Sequence, residues 1–196
     1  MKQSDYYIGV VIGFFIGIFL LPVLFIIRFP YSALIPLFFV FPIIAIPFGI
    51  LVGDMLQKTF GIGARFGKYT AAGLLSFSID FSALNILSFV TGITAGTAVG
   101  WINVPGFCVA LLNAYVWNKR WVFQKNDGSH ATHFPLFLFV VIIGLLLNSI
   151  LVVWISTNIA APAGIDSQRW LNVAKIIASG AVVVWNFFGY KFIAFR

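Results

Sequence analysis

The chain has 196 residues, of which 61% are hydrophobic and only 9% are charged. Soluble domains carry about 25% charged residues, so this composition excludes a water-soluble globular fold. The aromatic content of 18% also excludes an intrinsically disordered chain. The composition therefore indicates a small integral membrane protein that crosses the bilayer several times.

Six runs of the sequence are long and apolar enough to cross a bilayer, which takes about 20 residues of helix. We predict an all-α, polytopic membrane helix bundle with six transmembrane helices, at residues 6–27, 32–53, 66–90, 97–117, 134–157 and 170–192. In the second run, Pro36, Pro42 and Pro47 would kink the helix or make it re-entrant.

The positive charges predict the orientation of these spans. Because six spans place both termini on one side, nine cations fall together there: Lys2, Lys58, Arg65, Lys68, Lys119, Arg120, Lys125, Lys191 and Arg196. The opposite side receives only Arg28 and Arg169. Cationic loops stay in the cytoplasm. We therefore expect both termini to be cytoplasmic, in the plasma membrane of a bacterium or archaeon, and no nucleic-acid partner.

Two charged residues fall inside predicted spans. Asp80 lies fourteen residues into the third run and Lys175 five residues into the sixth. At about 1.5 Å per residue both reach a similar depth, nearer the outer surface. A charge at the bilayer centre costs at least ~2.5–3.5 kcal/mol, which favours a functional role. We predict that Asp80 and Lys175 face each other or share a polar cavity at the depth of Asn148. A structural ion pair, with Lys175 partly snorkelling outward, is the alternative.

Polar residues recur at helical spacing in the third and sixth runs, which predicts two polar stripes. Their members are Tyr69, Gly73, Ser76 and Asp80 in one run, and Asn172, Lys175, Ser179 and Asn186 in the other. Two inward-facing stripes would line a path that lipid cannot line, although ordinary helix–helix contacts would produce the same pattern.

Glycines spaced by four residues predict close helix packing in the first span. Gly9, Gly13 and Gly17 form this face, and it would bind the second span, the rest of the chain or a second copy. Gly92, Gly96 and Gly100 have the same spacing but straddle the outer loop before span four, where a turn is at least as well supported.

A weak internal duplication relates the last four spans. Residues 133–148 resemble residues 65–80, and residues 186–195 resemble residues 114–123. We therefore interpret these spans as two parallel-repeated hairpins, an arrangement in which transporters often place their sites between the repeats. Each hairpin ends in an aromatic and basic cluster that could bind phosphate, or that could be an ordinary interfacial belt.

Residues from about Arg65 to Arg196 resemble the GtrA-like family of four-span membrane proteins. The resemblance is carried by Arg65-Phe66-Gly67 with Gly73 and Asp80, by Tyr115-x-x-Asn118-Lys119-Arg120-Trp121-Val122-Phe123, and by Asn186-Phe187 with Lys191 and Phe195. It divides the chain into an N-terminal transmembrane helix pair at residues 1–60 and a GtrA-like four-helix domain at residues 61–196.

The resemblance implies that the protein flips a polyprenyl-phosphate-linked sugar across the membrane for the modification of cell-surface glycans or glycolipids. The partners it implies are this lipid and a membrane glycosyltransferase, and we expect a homodimer. We expect no enzymatic activity, no cofactor and no metal. The open alternatives are a non-catalytic membrane anchor or subunit of a polyprenyl-phosphate glycosyltransferase, and an ion-coupled small-molecule exporter that uses Asp80.

The predicted substrate-binding residues fall into three groups under this interpretation. Cations that gather the anionic head on the cytoplasmic side are Arg65, Lys68, Lys119 and Arg120. Trp121 and Phe123 would stack on the sugar or hold the interface. Polar groups that accompany the head through the membrane are Asp80, Asn148, Lys175 and Asn186. The motif residues Asn118 and Lys191 complete the set.

Overall fold

The computed structural model describes residues 3–60, 64–122 and 134–189, and these ranges are almost entirely helical. The helices are α1 (Gln3–Ile26), α2 (Ile35–Phe60), α3 (Ala64–Thr91), α4 (Ala98–Trp117), α5 (Phe134–Asn158) and α6 (Ser167–Gly189). A short 3-10 turn, Ser32–Leu34, precedes α2, and a π-helical segment, Asn118–Val122, continues α4. The predicted all-α fold is confirmed.

Five of the described helices, α1 to α5, have the length and composition to cross a membrane. Helix α6 has 23 residues, which is long enough, but it is not among these five. The physical reason is its composition, since it contains Arg169, Asn172, Lys175 and Asn186. The chain is therefore a polytopic helical membrane protein in which the last predicted span is the most polar.

The chain divides into two compact units. The first comprises Met1–Ile86 with Gly106–Lys125, and the second comprises Leu87–Pro105 with Asn126–Arg196. Helices α3 and α4 therefore contribute residues to both units. The predicted domain boundary near residue 60 stays a prediction.

In the first unit, the glycine face of α1 contacts α2. A Cβ on Gly13 would lie 2.7 Å from the Ile43 Cα, and a Cβ on Gly17 would lie 2.8 Å from the Phe39 carbonyl oxygen. Only glycine permits backbones to approach this closely. Of the three partners left open for this face, the structure therefore identifies the second span.

The prolines of the second span lie within one helix. Pro36 lies in the first turn of α2, where no backbone N–H is needed. Pro42 and Pro47 lie inside the helix, which nevertheless runs unbroken from Ile35 to Phe60. Helices in lipid tolerate internal proline where neighbouring helices compensate, and α1 packs directly on this stretch.

The buried core of the first unit joins four segments of the chain. Its members are Ile12 and Ile16 of α1, Ile46 and Ile50 of α2, Ala71, Ala72 and Leu75 of α3, and Trp121 and Val122 of the π-helical segment. The small residues Ala71 and Ala72 allow close packing. Trp121 and Val122 are both buried, which explains why the helix continues past the predicted end of the fourth span at Trp117.

In the second unit, α5 and α6 form a hairpin. The Trp185 indole Nε1 donates a hydrogen bond of 2.9 Å to the Val140 carbonyl oxygen. At the other end, Trp170 Nε1 donates to the Ile159 carbonyl oxygen at 2.9 Å. Asp166 precedes the first residue of α6 and accepts a hydrogen bond of 2.8 Å from the Arg169 backbone N–H. These contacts fix the register of the helix that carries Lys175.

The turn between α3 and α4 requires two of the glycines. Gly92 and Gly96 have φ angles of 72° and 82°, in the left-handed region that favours glycine. Their spacing therefore reflects backbone geometry in a turn rather than a helix-packing face.

Candidate functional site

A polar cluster surrounds Lys175 in the second unit. The Lys175 side chain is fully buried, and its Nζ donates hydrogen bonds of 2.6 Å to Asn103 Oδ1 and 2.9 Å to Asn148 Oδ1. The Asn103 amide nitrogen also donates to Asn148 Oδ1, at 3.1 Å. Three helices, α4, α5 and α6, thus supply the polar groups around one buried ammonium.

Further hydroxyl groups extend this cluster. Asn103 Nδ2 donates to Ser149 Oγ at 3.0 Å, and Asn148 Nδ2 approaches Ser179 Oγ at 3.4 Å. The resulting network connects an ammonium, two amides and two hydroxyls, all of which exchange hydrogen bonds readily with phosphate or sugar groups. We refer to Lys175, Asn103, Asn148, Ser149 and Ser179 as the Lys175 cluster.

The Lys175 side chain points into the protein. Lys175 lies eight residues after Ser167, the first residue of α6, which corresponds to about 12 Å along the helix. The ammonium has no solvent-exposed surface and contacts amides on neighbouring helices. Partial snorkelling toward the interface, the alternative left open by the sequence, is therefore wrong for this side chain.

Asp80 lies in the first unit and is also buried. A Cβ on Gly106 would lie 3.1 Å from Asp80 Oδ1 and 2.8 Å from the Ala83 Cβ. Helix α4 therefore passes beside Asp80 with only a glycine at the point of closest approach. The predicted juxtaposition of Asp80 with Lys175, which belongs to the other unit, stays a prediction.

The members of the two predicted polar stripes differ in burial and in their hydrogen bonds. In α3, Ser76 and Asp80 are buried, and Ser76 Oγ accepts a hydrogen bond of 2.9 Å from Asn113 Nδ2, whereas the Tyr69 side chain is exposed. In α6, Asn172 donates to the Gln168 carbonyl oxygen within its own helix. The α3 stripe therefore contacts α4 through Ser76.

Asn186 lies against α5. A Cβ on Gly144 would lie 3.2 Å from Asn186 Oδ1. This oxygen and Asn118 Oδ1 are buried without a hydrogen-bond partner in the described part of the chain. Buried acceptors usually have a partner, so these two amides are candidates for binding a donor group of a ligand.

A second charged cluster lies in the first unit, where the start of α1, the start of α3 and the end of α4 meet. Lys68 Nζ forms an ion pair of 2.7 Å with Asp5 Oδ1, and Trp121 Nε1 donates a hydrogen bond of 3.0 Å to the same oxygen. Lys68 Nζ also lies 5.6 Å from the centre of the Trp121 ring. Lys68, predicted to gather a phosphate, is thus buried and bound to Asp5.

The segment Asn118–Val122 is π-helical and contains most of the Asn-Lys-Arg-Trp-Val-Phe motif. Insertion of a π turn changes the direction of the side chains and is frequent at functional sites. Here Trp121 and Val122 are buried, whereas Lys119 and Arg120 are exposed. The local geometry thus anchors the aromatic residue in the core and presents two cations at the surface.

The exposed cations contact aromatic rings. Lys119 Nζ lies 5.7 Å from the centre of the Tyr115 ring, a cation–π arrangement. Arg120 lies with Trp117 and Trp121 along a groove of about 420 Å³ whose opposite side is formed by α1. The Trp117 and Trp121 rings meet edge to face, 5.6 Å apart.

Three predicted site groups lie outside the described structure. Phe123 and Lys191 fall outside the described residues, and so does the side chain of Arg65.

Sequence reasoning missed Asn103 and Asp5. Asn103 is an isolated amide in the fourth predicted span. It lies 72 residues before Lys175, so no local spacing predicts their contact. The signal that could have found it is its polarity within an apolar run. Asp5 directly precedes the first apolar run, a position that indicates a polar terminus, although in the structure it is only 3% exposed.

The fold and the buried polar cluster define an integral membrane protein that holds polar and charged groups within its apolar spans. The family model described as GtrA/DPMS, transmembrane domain, matches residues 68–195. Because the match covers more than half of the chain, the protein belongs to this family, as the sequence motifs predicted. It is therefore a membrane protein of lipid-linked sugar metabolism, in a family associated with polyprenyl-phosphate sugar lipids. No solved structure matches the chain.

Proposed function

We propose that the protein translocates a polyprenyl-phosphate-linked sugar across the membrane, without catalysing a covalent reaction. The observation that carries this proposal is the fully buried Lys175 ammonium held by the Asn103 and Asn148 amides. A charge within a membrane span is costly and marks substrate or ion pathways. A phosphate head is the ligand whose passage would use such a charge.

The chemistry of the Lys175 cluster suits a transient phosphate site. An ammonium has three donors, and amide oxygens are neutral acceptors. A phosphate oxygen forms a stronger, charge-assisted bond with an ammonium than an amide does. An arriving phosphate would therefore displace Asn103 or Asn148 from Lys175, and the amide would rebind when the phosphate leaves. The released amides and Ser179 would meanwhile bind sugar hydroxyls.

The cations at the end of α4 would first attract the head. Arg120 and Lys119 are exposed and flank the aromatic residues Tyr115 and Trp117. An Arg guanidinium can bind a phosphate through two hydrogen bonds, whereas a Lys acts as a point charge. Under the predicted orientation these residues face the cytoplasm, where the lipid-linked sugar would be collected.

Reconstitution in proteoliposomes tests the proposal. A short polyprenyl phosphoglucose would be placed in one leaflet, and its appearance in the other would be followed with a membrane-impermeant oxidant of sugar diols. We expect translocation faster than in protein-free vesicles, and no acceleration for phosphatidylglycerol, which has a phosphate but no polyprenyl tail. Equal rates with and without protein would contradict the proposal. A stable complex with a glycosyltransferase in the absence of translocation would instead support the anchoring subunit.

A further inference from the structure

The extra helix α1 forms one side of the groove at the end of α4. This groove, about 420 Å³ in volume, is lined on one side by Ser4, Asp5 and Ile8 and on the other by Val116, Trp117, Arg120 and Trp121. The α1 residues lie before residue 68, where the family match begins. The groove is therefore composite, with one wall from the family motif and one from the N-terminal extension.

We propose that this groove binds the phosphate and the first sugar of the lipid-linked substrate, and that α1 is part of the binding site. The inference rests on the proposed function and locates its first step, the binding of the head group. The volume of the groove lies within the range of about 300–1,000 Å³ that is usual for small-molecule sites. Its polar residues differ between the two walls, with Arg120 on one and Ser4 and Asp5 on the other, so a bound head group would be held in one orientation.

Arg120 supplies the phosphate end of the groove. It is exposed, and it is the cation that lines the groove among the residues that the structure describes. Its planar fork of donors matches the oxygens of a phosphate. The half-buried Trp117 ring lines the groove beside Arg120 and offers an apolar surface to the C–H groups of a sugar, and the buried Trp121 ring packs edge to face against it.

Asp5 supplies the opposite end. The exposed hydroxyl of the neighbouring Ser4 can exchange hydrogen bonds with sugar hydroxyls at this end, where the Asp5 charge is compensated by Lys68. Asp5 also accepts the bond from Trp121 Nε1 and pairs with Lys68, so that it fixes the Trp121 ring and neutralises a second cation. The phosphate is thereby directed to Arg120 and the sugar hydroxyls to α1.

Binding measurements on the full chain in lipid nanodiscs test this assignment. The probes are farnesyl phosphoglucose, farnesyl phosphate and glucose 1-phosphate, which separate the contributions of tail, sugar and phosphate. Ser4→Trp places a large ring in the groove, and Gln3→Trp places the same ring at the adjacent exposed position as its matched control. Arg120→Gln removes the charge, with Arg169→Gln as control.

We expect farnesyl phosphoglucose to bind more tightly than either partial probe. Arg120→Gln should raise its Kd by about tenfold or more, the equivalent of losing a charge-assisted contact. Ser4→Trp should raise it by about tenfold or more as well, because the ring occupies the space of the bound head. Both controls should stay within about twofold of the wild type, a difference too small for a lost contact. Unchanged binding in Ser4→Trp and Arg120→Gln, or no binding of farnesyl phosphoglucose to the wild type, would overturn the assignment.

The probes also separate this inference from the proposed function. Equal affinity for glucose 1-phosphate and farnesyl phosphoglucose would contradict a lipid-linked ligand and would indicate a soluble sugar phosphate instead. Groove-dependent binding in a protein that does not translocate would support the groove and contradict the transport proposal. Translocation that is insensitive to Ser4→Trp, with unchanged probe binding, would contradict the groove alone.

Discussion

Lys68 and Asp5 form a buried ion pair with 2.7 Å between Nζ and Oδ1, and their side chains are only 10% and 5% exposed. The contact joins α1 to the first residue of the family match. Because both charged groups are largely shielded from water, each is stabilised in the folded protein by its ion pair with the other. Helix α1 and the start of α3 are therefore coupled electrostatically as well as by apolar packing.

The first prediction concerns this pair. Replacing Asp5 by Leu or Lys68 by Leu leaves the other charge buried without its partner, which costs about 3–5 kcal/mol of unfolding free energy. Thermal unfolding in detergent, followed by size-exclusion chromatography, measures the loss. We expect a markedly lower Tm for each single variant.

The double variant Asp5→Leu with Lys68→Leu is the control for this prediction. Removing both charges leaves no unpaired ion, so its Tm should exceed that of either single variant. A double variant that unfolds at the temperature expected from the sum of the two losses would show that the ion pair contributes nothing.

The second prediction concerns the contact between α1 and α2. A Cβ on Gly13 would lie 2.6 Å from the Pro42 carbonyl carbon and 2.7 Å from the Ile43 Cα, and backbone atoms cannot yield as side chains do. Gly13→Ala should therefore destabilise the protein by about 1–3 kcal/mol, the usual cost of overpacking. The same Tm measurement detects it.

Gly49→Ala provides a matched control in the adjacent helix. A Cβ at Gly49 would meet no atom within 4 Å, so this substitution should be neutral or stabilising by up to about 1 kcal/mol. Equal Tm values for the two alanine variants would contradict the close α1–α2 approach.

The third prediction concerns Asn103. Asn103→Leu removes an acceptor from Lys175 and two donor contacts, to Asn148 and Ser149. Leaving the ammonium short of an acceptor costs about 1–3 kcal/mol or more, because the group is charged. Ser149→Ala removes one contact of the same network and should cost less. A larger fall in Tm for Ser149→Ala than for Asn103→Leu would contradict the central position of Asn103.

The fourth prediction concerns the orientation. In a Cys108→Ser background, single cysteines at Gln3 and Ala163 would be labelled with a membrane-impermeant maleimide in intact cells. Cationic loops stay in the cytoplasm, so Ala163→Cys should react from outside and Gln3→Cys only after permeabilisation. Both positions are exposed, so burial does not limit labelling. The reverse pattern would contradict cytoplasmic termini.

Much of the fold follows from the sequence because apolar runs are a strong signal in a membrane protein. The helices α1 to α6 fall where predominantly apolar runs of about 20 residues predict them. The π-helical segment was not predictable, since it depends on the burial of Trp121 and Val122 against other helices. The unbroken α2 was not predictable either, because Pro42 and Pro47 each remove a backbone hydrogen bond from the helix, and their tolerance depends on packing against α1.

The candidate site was predictable only in part. The polarity of Lys175 and Asn148 inside apolar runs marks both residues, and the structure places them 2.9 Å apart. Asn103 and Asp5 were missed because their partners, Lys175 and Lys68, are distant in sequence. Spacing along one helix identifies a face, but it does not identify which residue of another helix contacts that face.

The most direct measurement of the central claim is translocation of polyprenyl phosphoglucose in proteoliposomes that contain Lys175→Met. This variant keeps an unbranched side chain of similar length but loses the charge that would bind the phosphate. Arg169→Gln, which removes a partly exposed cation paired with Asp166 in the first turn of the same helix, is its control. We expect the initial rate of Lys175→Met to fall by about tenfold or more, the equivalent of one lost charge-assisted contact, and that of Arg169→Gln to stay at the wild-type value. A wild-type rate in correctly folded Lys175→Met would contradict the account.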